Sequence, residues 1–86
     1  MDRRAIEATV KGFLLSELLP ELDEDEIESD TELITSRLLN SISTIKLVSF
    51  LEETYDIEVE GHEADVENLN SLEFIASFVE GKRSAS

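Results

Sequence analysis

Leu38-Leu39-Asn40-Ser41-Ile42-Ser43-Thr44-Ile45-Lys46-Leu47-Val48-Ser49-Phe50-Leu51-Glu52-Glu53-Thr54-Tyr55 decides the fold, because it joins a short turn to the most regular helical pattern in the chain. From Ser41 to Tyr55 there is no Gly or Pro, and apolar residues recur at Ile42, Ile45, Leu47, Val48, Phe50, Leu51 and Tyr55, a spacing that follows a helical period and not strand alternation. Asn40 suits the N-cap, since its side-chain oxygen can accept a first-turn N–H, and Ser41 takes that place if the helix begins one residue later. Either way the Ser41 hydroxyl lies at the positive end of a helix dipole of roughly half an elementary charge, a setting that favours a phosphate. Leu47, Val48, Leu51 and Tyr55 form the inward stripe. Ile42 and Ile45 fall beside the serine, where they serve either as core or as an apolar contact for a docking protein.

Working outward, Asp2–Leu18 reads as a first helix with Ile6, Val10, Phe13, Leu14 and Leu18 along one face, stopped by Pro20. Gly12 in its interior costs about 1 kcal/mol against Ala and permits a second helix to come close. Glu21 to Glu32 holds eight carboxylates in twelve positions, interrupted by Leu22 and Ile27, as a solvated loop does. Asp23, Asp25 and Glu28 offer oxygen ligands, but the glycine and full spacing of a calcium loop are missing, so no metal site is assigned. Leu22, Ile27, Leu33 and Ile34 are expected to pin this loop to the bundle.

After the serine helix, Ile57–Glu60 alternates like a strand but has no partner strand, and is expected to be an extended linker. Gly61 allows a turn, and His62–Asn68 forms a weak helical turn that offers Ala64, Val66 and Leu69 to the core. Asn70-Ser71-Leu72-Glu73 reads as a capping box with Asn70 as the cap. It opens a last helix with Leu72, Ile75, Ala76 and Val79 inward and Phe74 and Phe78 as an adjacent pair able to wall the core or a pocket. Gly81 is expected to end that helix, leaving one domain over residues 1–81 and a short flexible tail over 82–86.

The 86 residues suit one domain, because a chain of this length buries only about 60–65% of its unfolded surface. Three Gly and one Pro, with apolar residues in helical stripes, point to an all-α bundle. A net charge of −14 repels phosphate backbones and anionic lipids, so neither nucleic acid nor membrane is an expected partner, while basic protein surfaces are. No apolar run is long enough to cross a bilayer, and Met1-Asp2-Arg3-Arg4 leads into an amphipathic pattern and not a signal peptide; a cytoplasmic monomer is expected. With zero cysteines, any thiol chemistry must come from an attached group.

No catalytic residue is assigned. A serine nucleophile needs a base within reach, and the one histidine, His62, sits at a glycine junction among carboxylates, far along the chain from Ser41. No glycine-rich elbow surrounds Ser41, and the many carboxylates lack the apolar setting that would drive their pKa values apart.

Leu38-Leu39-Asn40-Ser41-Ile42, opening the second helix of a small acidic helical protein, resembles the attachment motif of the acyl carrier and peptidyl carrier proteins, apolar-apolar-Asp-Ser-Leu. Asn40 replaces the usual Asp and Ile42 the usual Leu. The resemblance extends over most of the chain and implies an acyl-carrier-like four-helix bundle, three main helices and a short one, with a long acidic first loop. It implies that Ser41 carries covalent 4'-phosphopantetheine, donated from coenzyme A, whose thiol holds an acyl or aminoacyl group as a thioester. Implied partners are a phosphopantetheinyl transferase, an adenylating ligase or acyltransferase, and downstream synthase or tailoring enzymes. Asn40, Ile42 and Ile45 would dock them near the serine, with Glu52 and Glu53 supplying charge at the far end of the helix.

Ser43 and Lys46 stand where fatty-acid carriers tend to be acidic. With the Thr44-Ile45-Lys46-Leu47-Val48 continuation, this looks nearer to stand-alone peptidyl or D-alanyl carriers of specialised metabolism. Fatty-acid or polyketide carriers, and an unmodified acidic helical adaptor, are the alternatives.

Overall fold

Residues 3–85 are described by a computed structural model of the protein. Asp2, the expected first helical residue, and Ser86, the end of the expected tail, lie outside them. The helices are α1 (Arg3–Phe13, continued as a wider turn over Leu14–Leu18), α2 (Ser41–Tyr55), the short α3 (Val66–Leu69) and α4 (Leu72–Ala85). Single 3₁₀ turns occupy Glu24–Glu26 in the acidic loop and Gly61–Glu63 before α3. This is the acyl-carrier-like all-α bundle that the sequence leads one to expect.

α1 packs chiefly on α4, with Ile6, Val10 and Leu14 fully buried at intervals of four against Leu72, Ile75, Ala76 and Val79. An ion pair of 2.9 Å between Arg3 Nε and Glu80 Oε1 joins the start of α1 to the far part of α4. Leu47, Leu51 and Tyr55 bring α2 to the same core, and Val48 packs half-buried beside them. Phe50 stacks on Phe13, ring centroids 4.1 Å apart, so the α1–α2 seam is closed by an aromatic pair.

The end of α1 departs from a regular helix. Leu19 N–H donates to the Leu14 carbonyl at 2.6 Å, one residue further than an α-helical bond reaches. Ser16 Oγ donates to the Gly12 carbonyl at 2.9 Å, a side-chain bond of the kind that loosens a helical ladder. The wider turn rotates Leu19 into the core and leaves the expected Leu18 half-buried. Gly12, expected to admit a neighbouring helix, faces open space instead.

The acidic loop is pinned as expected, with Ile27 and Leu33 fully buried and Leu22 and Ile34 packed against the core. Two further corrections concern α4. Its cap is Ser71, whose Oγ accepts the Phe74 N–H at 3.1 Å, and not Asn70, which is committed elsewhere. Gly81 does not stop it, and the expected tail is helical through Ala85. A terminating glycine works by turning left-handed, and no glycine among the described residues has a positive φ. The last turn is also tied down: Lys82 Nζ meets Glu63 Oε1 at 2.6 Å, and Arg83 Nη1 donates to the Tyr55 carbonyl at 3.0 Å. That guanidinium meets the negative end of α2, which closes at Asp56 in the left-handed region with φ 53°.

Candidate functional site

The start of α2 is fixed from both sides. Leu39 is buried immediately before it, and its N–H donates to the Leu33 carbonyl at 2.8 Å. Asn40 keeps extended backbone and its Oδ1 accepts the Ser43 N–H at 2.8 Å, while its carbonyl accepts both the Thr44 N–H at 2.9 Å and the Thr44 hydroxyl at 2.8 Å. Of the two caps open from the sequence, the structure takes Asn40. Ser41 becomes the first helical residue, exposed, with its hydroxyl relieved of capping duty. The N–H groups of Ser41 and Ile42 come too early in the helix to have an intrahelical acceptor, which leaves donors beside that hydroxyl.

Asn70 holds the approach to this turn. Its Oδ1 accepts the N–H groups of Ile34 at 2.8 Å and Thr35 at 3.0 Å, and its carbonyl accepts that of Leu33 at 2.7 Å. Asn70, at the junction between α3 and α4, thus sets the path of the loop that delivers Ser41. Sequence reading missed this, because the contact spans some 35 positions and leaves no local pattern.

Ser41 stands on the rim of an open groove of about 880 Å³ between α2 and the segment around residues 59–66. Thr44, Ile45, Val48 and Glu52 line the α2 side. Val59, Ala64 and Val66 face them, and of these Val66 is 41% exposed and not a core residue as expected. The extended Ile57–Glu60 linker is held there by a bond from the Val59 N–H to Glu52 Oε2, 2.9 Å.

Ile42 and Ile45 are 66% and 65% exposed, so of their two possible roles the structure removes the core. Glu52 and Glu53 do not form one acidic patch. Consecutive helical residues point about 100° apart, since a turn takes 3.6 residues. Glu52, half-buried, therefore belongs to the groove with Ser41, whereas Glu53 lines a smaller cleft with Phe13, Leu18 and Lys46 on the α1 side. Ile45 borders both.

Phe78 packs half-buried against the core, one of the two roles expected of the pair, whereas Phe74 is exposed, and neither lines the Ser41 groove. They line a separate cleft with Glu63, Glu67 and Lys82, the Lys82 ammonium lying 5.6 Å from the Phe78 ring centre. His62 is exposed, its Nε2 3.9 Å from Glu60 Oε2, and does not line the groove that Ser41 borders.

An exposed serine at the first position of an asparagine-capped helix, beside an apolar groove in an acidic helical bundle, can be compared with known proteins over the whole chain. An acyl carrier protein of Akkermansia muciniphila is 30% identical over 80 residues, spanning 93% of this chain and 95% of that protein. The chain belongs to the acyl carrier protein family. Acyl carrier proteins of Bdellovibrio bacteriovorus, 28% identical over 81 residues, and Buchnera aphidicola, 29% identical over 77, cover 94% and 90% of the chain. No family model matches the chain. Among the described residues, no helix of this acyl carrier protein family member is long and apolar enough to cross a membrane.

Proposed function

We propose that Ser41 carries 4'-phosphopantetheine and that the protein acts as a carrier and not as an enzyme, presenting a thioester-bound acyl or aminoacyl group to biosynthetic enzymes. The observation that carries this is the freedom of the Ser41 hydroxyl. It is exposed at the first position of α2, with capping done by Asn40 Oδ1. The chain's residues fit the group: a phosphodiester there lies at the positive end of a 15-residue helix, an interaction worth about 0.3–1 kcal/mol at an exposed site. Asn40 in place of the family motif's Asp keeps the capping oxygen and removes one negative charge from beside that phosphate.

In the attachment step, Ser41 Oγ forms a bond to the pantetheine-side phosphorus of coenzyme A as adenosine 3',5'-bisphosphate leaves. The hydroxyl proton goes to a base of the transferase. When bound, the group supplies the thiol that this cysteine-free chain lacks. Ile42 and Ile45 offer the transferase, an adenylating ligase or acyltransferase, and later synthase or tailoring enzymes an apolar contact. Asn40 lies at its edge, Glu53 adds charge on the α1 side and Glu52 on the groove side. Exposed Lys46 in the middle of that surface supports a stand-alone carrier of specialised metabolism, of peptidyl or D-alanyl type, acting in the cytoplasm where coenzyme A is made available.

The test is incubation of the apo protein with coenzyme A, magnesium and a phosphopantetheinyl transferase, followed by peptide mass mapping. The adduct is expected on the peptide holding Ser41 and absent from Ser41→Ala, with helical content unchanged. An adduct on another serine, or none with several transferases, overturns the proposal.

A further inference from the structure

We infer that the arm on Ser41 folds back along α2 and that Glu52 recognises a cationic amine on the cargo, so that this protein is built for aminoacyl and not plain hydrocarbon thioesters. The inference rests on the attachment of phosphopantetheine at Ser41. Three observations lead to it.

The first is reach. The arm from the serine oxygen to the sulfur has a backbone equal to about five amino-acid residues, on the order of 16 Å when extended. Glu52 lies 11 positions beyond Ser41 in the same helix, which at 1.5 Å per residue is also about 16 Å. An arm laid in the groove ends at Glu52.

The second is charge. Glu52, Glu60 and Asp65 line the groove, and among the described residues no Lys, Arg or His does. Asp65 is occupied in capping α3 through Asn68, and Glu60 lies out by His62. Of the three, Glu52 is the half-buried one, and it is the one that lies at the arm's reach along α2.

The third is order. Glu52 is half-buried and held by the Val59 N–H on Oε2, while its other oxygen has no partner among the described residues. A partly desolvated, fixed carboxylate attracts an ammonium more strongly than one in bulk water. The same carboxylate opposes a purely hydrocarbon chain, which would strip its remaining water without replacing the hydrogen bonds.

The experiment loads Ser41 through a transferase with coenzyme A analogues whose thioester is replaced by a stable amide, carrying alanyl, N-acetylalanyl or butyryl groups. Intact mass verifies each adduct, and proton–nitrogen correlation spectra follow the Val59 and Glu52 amides. The alanyl form is expected to shift the Val59 amide, and the two uncharged forms to lose that shift. Glu52→Gln keeps an acceptor for the Val59 N–H, so the fold should hold while the contrast disappears; Glu53→Gln, on the other side of α2, should leave it intact. Equal shifts for alanyl and N-acetylalanyl, or a contrast that survives Glu52→Gln, overturn the inference and leave the carrier function standing. Failure of every analogue to attach at Ser41 overturns both.

Discussion

Asn40 and Asn70 use the same side chain at two ranges. Asn40 caps its own helix three residues on, whereas Asn70 accepts two N–H groups from a loop far away in sequence. Truncating a cap costs about 1 kcal/mol, but leaving a part-buried donor without an acceptor costs about 1–3 kcal/mol for each group. Asn70→Ala, which orphans two such groups, is therefore expected to lower stability by roughly 2–6 kcal/mol and Asn40→Ala by about 1, measured by urea unfolding. Equal losses would mean that water replaces Asn70 freely. The first asparagine was legible in the sequence because a cap is a local pattern. The second was mistaken for a cap because nothing local distinguishes an asparagine that bonds forward from one that bonds across the fold. Glu63 gives a prediction in pH. The hydrogen bond from Lys82, then that from the Glu60 N–H, holds its carboxyl below the ordinary glutamate range. A depressed folded value means that the unfolded chain binds the proton first, so the contribution is complete above the ordinary value of about 4.3 and fades as pH falls through the folded one. The melting-temperature gap between wild type and Glu63→Gln should be constant near neutrality and shrink in acid; a gap independent of pH would contradict the pairing.

At the scale of elements, α2 carries the fold on one face and the site on the other. Leu47→Ala opens a fully buried position and should cost about 2–5 kcal/mol, whereas Ile42→Ala at an exposed one should change stability by about 0.5 kcal/mol at most. Ile42→Ala should instead slow loading by a transferase, read in steady-state kinetics on variants of verified helicity. If it melts the bundle while Leu47→Ala does not, the faces are reversed. The 3.6-residue stripe made Leu47, Leu51 and Tyr55 of α2 and the inner face of α4 readable, while it left Ile42 and Ile45 open between two roles. Element ends were harder. Leu19 displaced Leu18 through a bond to Leu14 that no spacing rule encodes, and Gly81 stayed helical because Lys82 and Arg83 found partners on α2 and the turn before α3. The groove beside Ser41 was not read from the sequence. Glu52 was grouped there with Glu53, and Val59, Ala64 and Val66 come from a segment whose path is set by Glu52 and the Asp65 cap.

For the whole molecule, a net charge of −14 on 86 residues sets both stability and association. Screening lengths fall from about 30 Å at 0.01 M salt to about 10 Å at 0.1 M, so added salt should relieve self-repulsion and raise the melting temperature. A melting temperature unmoved by ionic strength would show that the carboxylates are too well solvated to repel. The same field favours basic partners, and the encounter rate with a transferase should fall as salt rises. The central proposal is narrower than any of this: one exposed hydroxyl, relieved of capping by Asn40, is proposed as the point of attachment. The most direct measurement is the intact mass of wild type and Ser41→Ala after co-expression with a broad-specificity phosphopantetheinyl transferase. Wild type is predicted to gain the mass of one phosphopantetheinyl group and Ser41→Ala none, with matching circular dichroism; an unmodified wild type, or a modified Ser41→Ala, would contradict the account.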